Sequence, residues 1–131
     1  MKLKIDPQRT AVLLLDVQKD LIDITPGLKQ NRVIENMAGV LKAARRRKLP
    51  VIHITASVRA DFLDLPKDNP LWDGLRKKRQ LIIGTKGAAI DPRVRPLKNE
   101  LVLNKTCVDP FLTTNLGQAL QNADANTIIL M

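Results

Sequence analysis

One cysteine, one histidine and an aromatic content of 2% leave few of the usual chemical instruments in this 131-residue chain. A lone thiol, Cys107, excludes an intrachain disulfide and fits a reducing, cytoplasmic setting. With His53 as the only histidine and no cysteine cluster, no zinc-ligand pattern exists and no metal is expected. Tyrosine is absent and Phe62, Trp72 and Phe111 are scattered, so no aromatic platform is available for stacking single-stranded bases. Neither GxGxxG nor GxxxxGK[ST] occurs, which removes the glycine-rich phosphate cradles and leaves no expected cofactor. The apolar run at residues 11–15 (AVLLL) is far short of the about 20 residues that span a bilayer. The opening MKLKIDPQRT also lacks a signal-peptide core, so no membrane partner is expected.

What the chain does have is apolar bulk, 44% of its residues, enough for one domain with its own core. It also carries a formal net charge of +9, fed by RRRK at residues 45–48 and RKKR at residues 76–79. Such a charge raises polyanions as partners. The first run, however, closes an apparent helix, where cations oppose the negative end of the dipole. A nucleic-acid partner is therefore disfavoured.

Continuous rather than alternating apolarity in AVLLL predicts a strand covered on both faces, as in a parallel sheet. TPGLKQNRVIENMAGVLKAARRRK then reads as one helix: Thr25 caps, Pro26 suits the first position, and Leu28, Val33, Ile34, Met37, Val40, Leu41 and Ala44 form a stripe. LPVIHITA predicts a second buried strand, which completes a βαβ unit with parallel strands. Residues 57–99, rich in proline and glycine, lose this periodicity and read as a long excursion that forms a wall or lid. ELVLNK, FLTTNLGQALQNA and NTIILM predict a further strand, a helix capped at Thr113 or Thr114 with Leu116, Ala119 and Leu120 inward, and a fourth strand. No repeat or second domain is visible, and residues 1–131 read as a single domain.

Open parallel sheets bind ligands beyond the carboxyl ends of their strands. Two ionisable residues stand at such ends, Asp16 after AVLLL and Lys105 after LVLN. An acid leaving an apolar strand needs a partner, and Lys105 suits that role. Spacing alone leaves open whether the pair is catalytic or only closes the sheet. His53, inside a strand, reads as a packed core residue. Cys107 would share a face with Lys105 if the chain stayed extended there. Arg59, Phe62 and Trp72 are candidates for a pocket wall, although surface or core roles suit each of them.

These residues resemble a known family. TAVLLLDVQKDL is similar to the opening of the isochorismatase-like cysteine hydrolases, whose first strand ends on D-x-Q. IDPRVRPLKNELVLNKTCVDPFLTTNL resembles the family's second block through Ile90, Pro96, Lys105, Phe111, Thr114 and Leu116. The resemblance implies a three-layer α/β/α fold with a parallel, Rossmann-like sheet, and a catalytic triad of Asp, Lys and Cys. Carried over, Asp16 is the general base and Lys105 its charged partner. The implied activity is hydrolysis of an amide-type C–N bond in a small molecule, although family membership alone does not fix the bond.

In the family the strand matching NTIILM leads to the nucleophilic cysteine at the start of the next helix. That cysteine is not in this sequence, and Cys107 lies at a position the family does not use. The chain is thus expected to be C-terminally incomplete, lacking its last strands and helices, and either a piece of a longer product or an intimate homo-oligomer. The family's metal-binding nicotinamidase branch carries Asp-x-His after the second strand, where this chain reads HITASVRADF, and is disfavoured. The alternative readings are a catalytically silent binding or assembly subunit and, more remotely, a basic polyanion-binding module.

Overall fold

The computed structural model describes residues 5–131. AVLLL forms all of β1 (Thr10–Leu15) after its first residue, and every residue of the strand but Leu15 is buried. VIHIT forms β2 (Val51–Thr55), buried along its whole length. With β3 (Leu101–Asn104) and β4 (Thr127–Leu130) these make one sheet in the order β3-β2-β1-β4, with every pairing parallel. The two outer strands are exposed over most of their residues. Only the inner pair is covered on both faces, which is why only they read as unbroken apolar runs.

Alternation along the inner strands sends side chains to two separate cores. Val12, Leu14 and Val51 pack with Ile34, Leu41 and Ala44 of α3 (Val33–Arg46) on one face. Ala11, Leu13, Ile52 and Ile54 pack with Leu116, Ala119 and Leu120 of α6 (Leu116–Asn122) on the other. The result is a three-layer α/β/α architecture. From β1 the chain steps through β2 to β3, then returns past both strands to place β4 on the far side of β1. The direction of winding reverses there, so the crevice of a doubly wound sheet lies at the carboxyl ends of β1 and β4.

Two expected single helices are each broken. The first divides into α2 (Pro26–Gln30) and α3, because Arg32 adopts a left-handed conformation (φ 52°) between them. Pro26 opens α2 as expected, but the Thr25 hydroxyl donates to Leu21 O and caps nothing. A short α1 (Lys19–Asp23), not anticipated, precedes both. The second divides into α5 (Pro110–Thr113) and α6, with Thr114 Oγ1 accepting from Leu116 N across the break. Of the expected stripe, Ile34, Leu41 and Ala44 are buried, whereas Val40 is 41% exposed. The excursion at residues 57–99 holds α4 (Pro70–Lys78) and a 3-10 turn at Pro92–Val94, whose Val94 is buried in the α3-side core.

Beneath β3 lies a buried polar knot. Glu100 receives two hydrogen bonds from Arg45 (2.7 and 2.8 Å), one from the backbone N–H of Leu97 (2.9 Å), and one from His53 Nε2 (3.1 Å). Burial pushes the Glu100 carboxyl up, but these four donors together outweigh it and hold the group at about 2. Burial, only partly opposed by Glu100, pushes His53 below its usual value. The imidazole is therefore neutral, with its proton on Nε2 and a buried Nδ1 that has no partner.

Both groups bind fewer protons in the folded chain than in the unfolded one, so stability must fall with falling pH. The His53 contribution is complete above 6.5 and is lost below it, and that of Glu100 is complete above 4.5 and lost toward about 2. Urea melts across this range are expected to show the upper part of the decline vanish in His53→Gln while the lower part persists. An unchanged slope just below pH 6.5 in that variant would remove His53 as its source.

A second buried knot joins the loops above the sheet. Gln18, fully buried, donates to Ser57 Oγ (2.9 Å) and Ala88 O (2.7 Å), and its Oε1 accepts from Ala56 N (2.8 Å). Replacing it with leucine would strand two backbone groups in the interior. The expected cost is about 3 kcal/mol, read as a lower urea midpoint with unchanged slope. A loss under about 0.5 kcal/mol would mean that the loops do not depend on this side chain.

Candidate active site

The first polar residue to leave β1 is Asp16. Its backbone turns into the left-handed region (φ 58°), which aspartate tolerates better than most residues, while its N–H still bonds Ile54 O (2.9 Å). Lys105 leaves β3 in the same layer, held by its own N–H to Thr55 O (2.8 Å). The two side chains meet above β2, with Lys105 Nζ 2.9 Å from Asp16 Oδ2. The lysine also donates to Val108 O (3.1 Å) and is 6% exposed. Asp16 Oδ1 is buried without a hydrogen-bond partner. An ammonium so enclosed needs its counter-charge nearby, and a carboxylate with one oxygen spent on the lysine keeps the other free to accept a proton.

A cavity of about 230 Å³ opens on this pair, lined by Leu21, Ala56, Leu71, Trp72, Leu75, Leu81 and Val108 besides Asp16 and Lys105. Trp72 thus stands in the pocket wall and also packs with Val58 and Leu65. The other two candidate wall residues do not line this cavity. Phe62 packs beneath the Arg79 guanidinium, 5.7 Å from its ring centre, and Arg59 pairs with Asp61 at 2.6 Å on the surface. His53 is a core residue, engaged with Glu100 rather than with the pocket.

Cys107 does not share a face with Lys105. The chain bends after Lys105 instead of staying extended, and the thiol donates to Asp109 O (3.0 Å), outside the Asp16 cavity. Among the described residues no group of three or more His, Cys, Asp or Glu side chains is arranged to hold a metal ion, and no helix is long and apolar enough to cross a membrane.

The supports of the site were not legible in advance. Asn104 accepts from Thr55 Oγ1 (2.9 Å) and Ser57 N (2.7 Å) and donates to Ser57 O (2.8 Å), which locks the ends of β2 and β3 together. Asp20 accepts from Leu81 N (2.8 Å), and a Cβ on Gly87 would collide with its carboxylate. A side chain at Gly87 would therefore have to displace the Asp20 carboxylate from its bond with Leu81 N. The signals that were present were local: Gln18 is the glutamine of D-x-Q, and Asp20 follows it within a single turn of chain.

Residues 10–131 match the isochorismatase domain. An uncharacterized isochorismatase family protein of Bacillus subtilis (strain 168), YrdC, is 26% identical over 125 residues, which cover 94% of this chain and 58% of the relative. A cysteine hydrolase from Pseudomonas syringae pv. phaseolicola 1448A superposes with a TM-score of 0.82 at 25% identity, covering 98% of this chain and 61% of that one. An N-carbamoylsarcosine amidase from Thermoplasma acidophilum shares the fold, with a TM-score of 0.75 at 24% identity, covering 94% and 66%. The chain thus spans about three-fifths of the length of the relatives it matches. With D-x-Q closing β1, Lys105 closing β3, and a parallel sheet bringing the two together, the chain belongs to the isochorismatase family.

Proposed function

We propose that this chain is the Asp–Lys half of a cysteine hydrolase that cleaves an amide-type C–N bond in a small molecule. The observation that carries the reading is the Asp16–Lys105 contact at 2.9 Å, at the mouth of a cavity and with Asp16 Oδ1 unpartnered. The nucleophile is a thiol outside the 131 residues, since Cys107 bonds elsewhere. The amidase named among the structural relatives makes C–N cleavage the first chemistry to try.

In this mechanism Asp16 Oδ1 takes the thiol proton, and the thiolate attacks the amide carbonyl carbon to form a C–S bond. Collapse of the tetrahedral adduct breaks the C–N bond, and the leaving amine takes the proton from Asp16. Water then gives a proton to Asp16 and adds its oxygen to the thioester carbon. The acid departs as the C–S bond breaks, and the proton returns to sulfur. Lys105, within hydrogen-bonding distance of Asp16 Oδ2, holds the carboxyl group in place through each of these transfers.

The native polypeptide, purified and weighed intact, is the right material for the test. Ammonia release from small amides is expected to fall about 10³-fold in Asp16→Ala and in Lys105→Met, and labelling by iodoacetamide should slow in parallel. Wild-type labelling in Asp16→Ala would sink the triad. A native product with the mass of these 131 residues alone, inactive on every amide, would instead favour a catalytically silent subunit.

A further inference from the structure

The edge of the sheet formed by β3 is open. Lys105 N–H donates to Thr55 O (2.8 Å), and in a parallel ladder the residues that bond a given neighbour alternate along the strand. Leu101, Leu103 and Lys105 therefore turn their peptide groups toward β2. Val102 and Asn104 turn theirs outward, where no strand among the described residues pairs with them. Leu97, Leu101 and Val102 are each nearly half exposed along this edge. β3 is the edge opposite β4, and its amino end is the end away from Lys105, so this surface is independent of the Asp16 cavity and of the hydrolase reading.

Around the amino end of β3 the free charge has one sign. Residues 36–60 and 92–108 contain a single carboxylate, Glu100, and its oxygens are taken by Arg45, His53 and the Leu97 N–H. Arg45 also donates to Arg95 O (2.8 Å), which pins the loop ahead of β3 against α3. Lys48, Arg95 and Lys98 are exposed there, and none pairs with a carboxylate among the described residues. Lys48, Leu97 and Asn99 line one cleft at this end. Cations beside an open edge repel a second copy of the same chain, a common protection against edge-to-edge pairing. They leave the edge accessible to a strand of opposite charge, and its outward peptide groups and exposed leucines suit a peptide rather than a phosphodiester chain.

We propose that β3 is a docking edge for an extended, acidic peptide segment of a partner protein, added to the sheet as a strand with its carboxylates beside Lys48, Arg95 and Lys98. Alternate side chains of that segment pack beside Leu101 on one face of the sheet and Val102 on the other.

The probe is a fluorescein-labelled peptide of four alternating valine and threonine residues with three glutamates on each side, titrated with the native protein and followed by anisotropy. Saturable binding is expected, weakened at least about tenfold when glutamine replaces the glutamates, and to a similar extent when Arg95→Gln and Lys98→Gln are combined. N-methylation of alternate peptide amides should abolish binding on one edge of the peptide and leave it unchanged on the other, since only one edge faces β3. Val102→Pro removes an outward N–H that β2 does not use, so the sheet should persist while binding falls at least about tenfold. The methylated peptides decide the matter even if that variant fails to fold, because they leave the protein unaltered. No saturable binding at about 1 mM protein, equal affinity for the glutamate and glutamine peptides, or indifference to methylation on both edges would overturn the proposal. So would self-association of the native protein that disappears in Val102→Pro, which would give the edge to a second copy. Displacement of the peptide by a single-stranded oligonucleotide that binds more tightly would likewise overturn it in favour of a phosphate polyanion.

Discussion

Two-sided burial of β1 is the constraint from which the rest of this structure follows. Its residues from Thr10 to Leu14 are at most 3% exposed, so the strand needs hydrogen-bonded neighbours on both edges and helices on both faces. Parallel pairing to β2 and β4 supplies the first, and α3 and α6 supply the second. A strand so enclosed can carry an ionisable residue within its length only where a partner is buried beside it, as Glu100 is beside His53 in β2, and β1 has none. The first such residue must come where the strand leaves the core, and that is Asp16.

The same logic places Lys105. It is nearly as buried as the core leucines, and a lysine is tolerated there because a carboxylate is within hydrogen-bonding distance. The pair is thus a structural necessity and a chemical opportunity at once: two charges that the core would otherwise exclude are held together at the mouth of a cavity. The loops that frame them are tied down by hydrogen bonds from polar side chains. Gln18 holds the turn after β2 to the chain at Ala88, Asn104 ties β2 to β3, and Asp20 occupies the space that a side chain at Gly87 would need. Each satisfies backbone groups that strands and helices leave unpaired, which is how a long excursion with little regular structure keeps a defined shape.

Charge, the most conspicuous feature of the composition, organises less. Arg45 is drawn inward to Glu100, and Arg76 to Asp73 and the carbonyls of Leu65 and Pro66. Arg93 bridges Asp91 and Glu35. The basic runs end α3 and α4, where they complement the helix dipoles. Several of the cations serve local packing rather than forming a single field.

The sequence by itself determined the elements whose physics is local or periodic. Unbroken apolarity marked β1 and β2, the stripe of Ile34, Leu41 and Ala44 marked the buried face of α3, and the order of strands and helices marked a parallel sheet. It also marked Asp16 and Lys105, because a charge at the end of an apolar strand is conspicuous in one dimension. Tertiary structure decided what depends on residues distant in the chain. It broke two helices, at Arg32 and between Thr113 and Leu116, where no periodic signal announces a break. It brought Trp72, Leu75, Leu81 and Val108 around Asp16, gave His53 a partner in Glu100, and turned Cys107 away from Lys105. Periodicity reports which face of an element is buried. Which residues meet across a cavity is set by how the elements close on one another, and no local pattern encodes that.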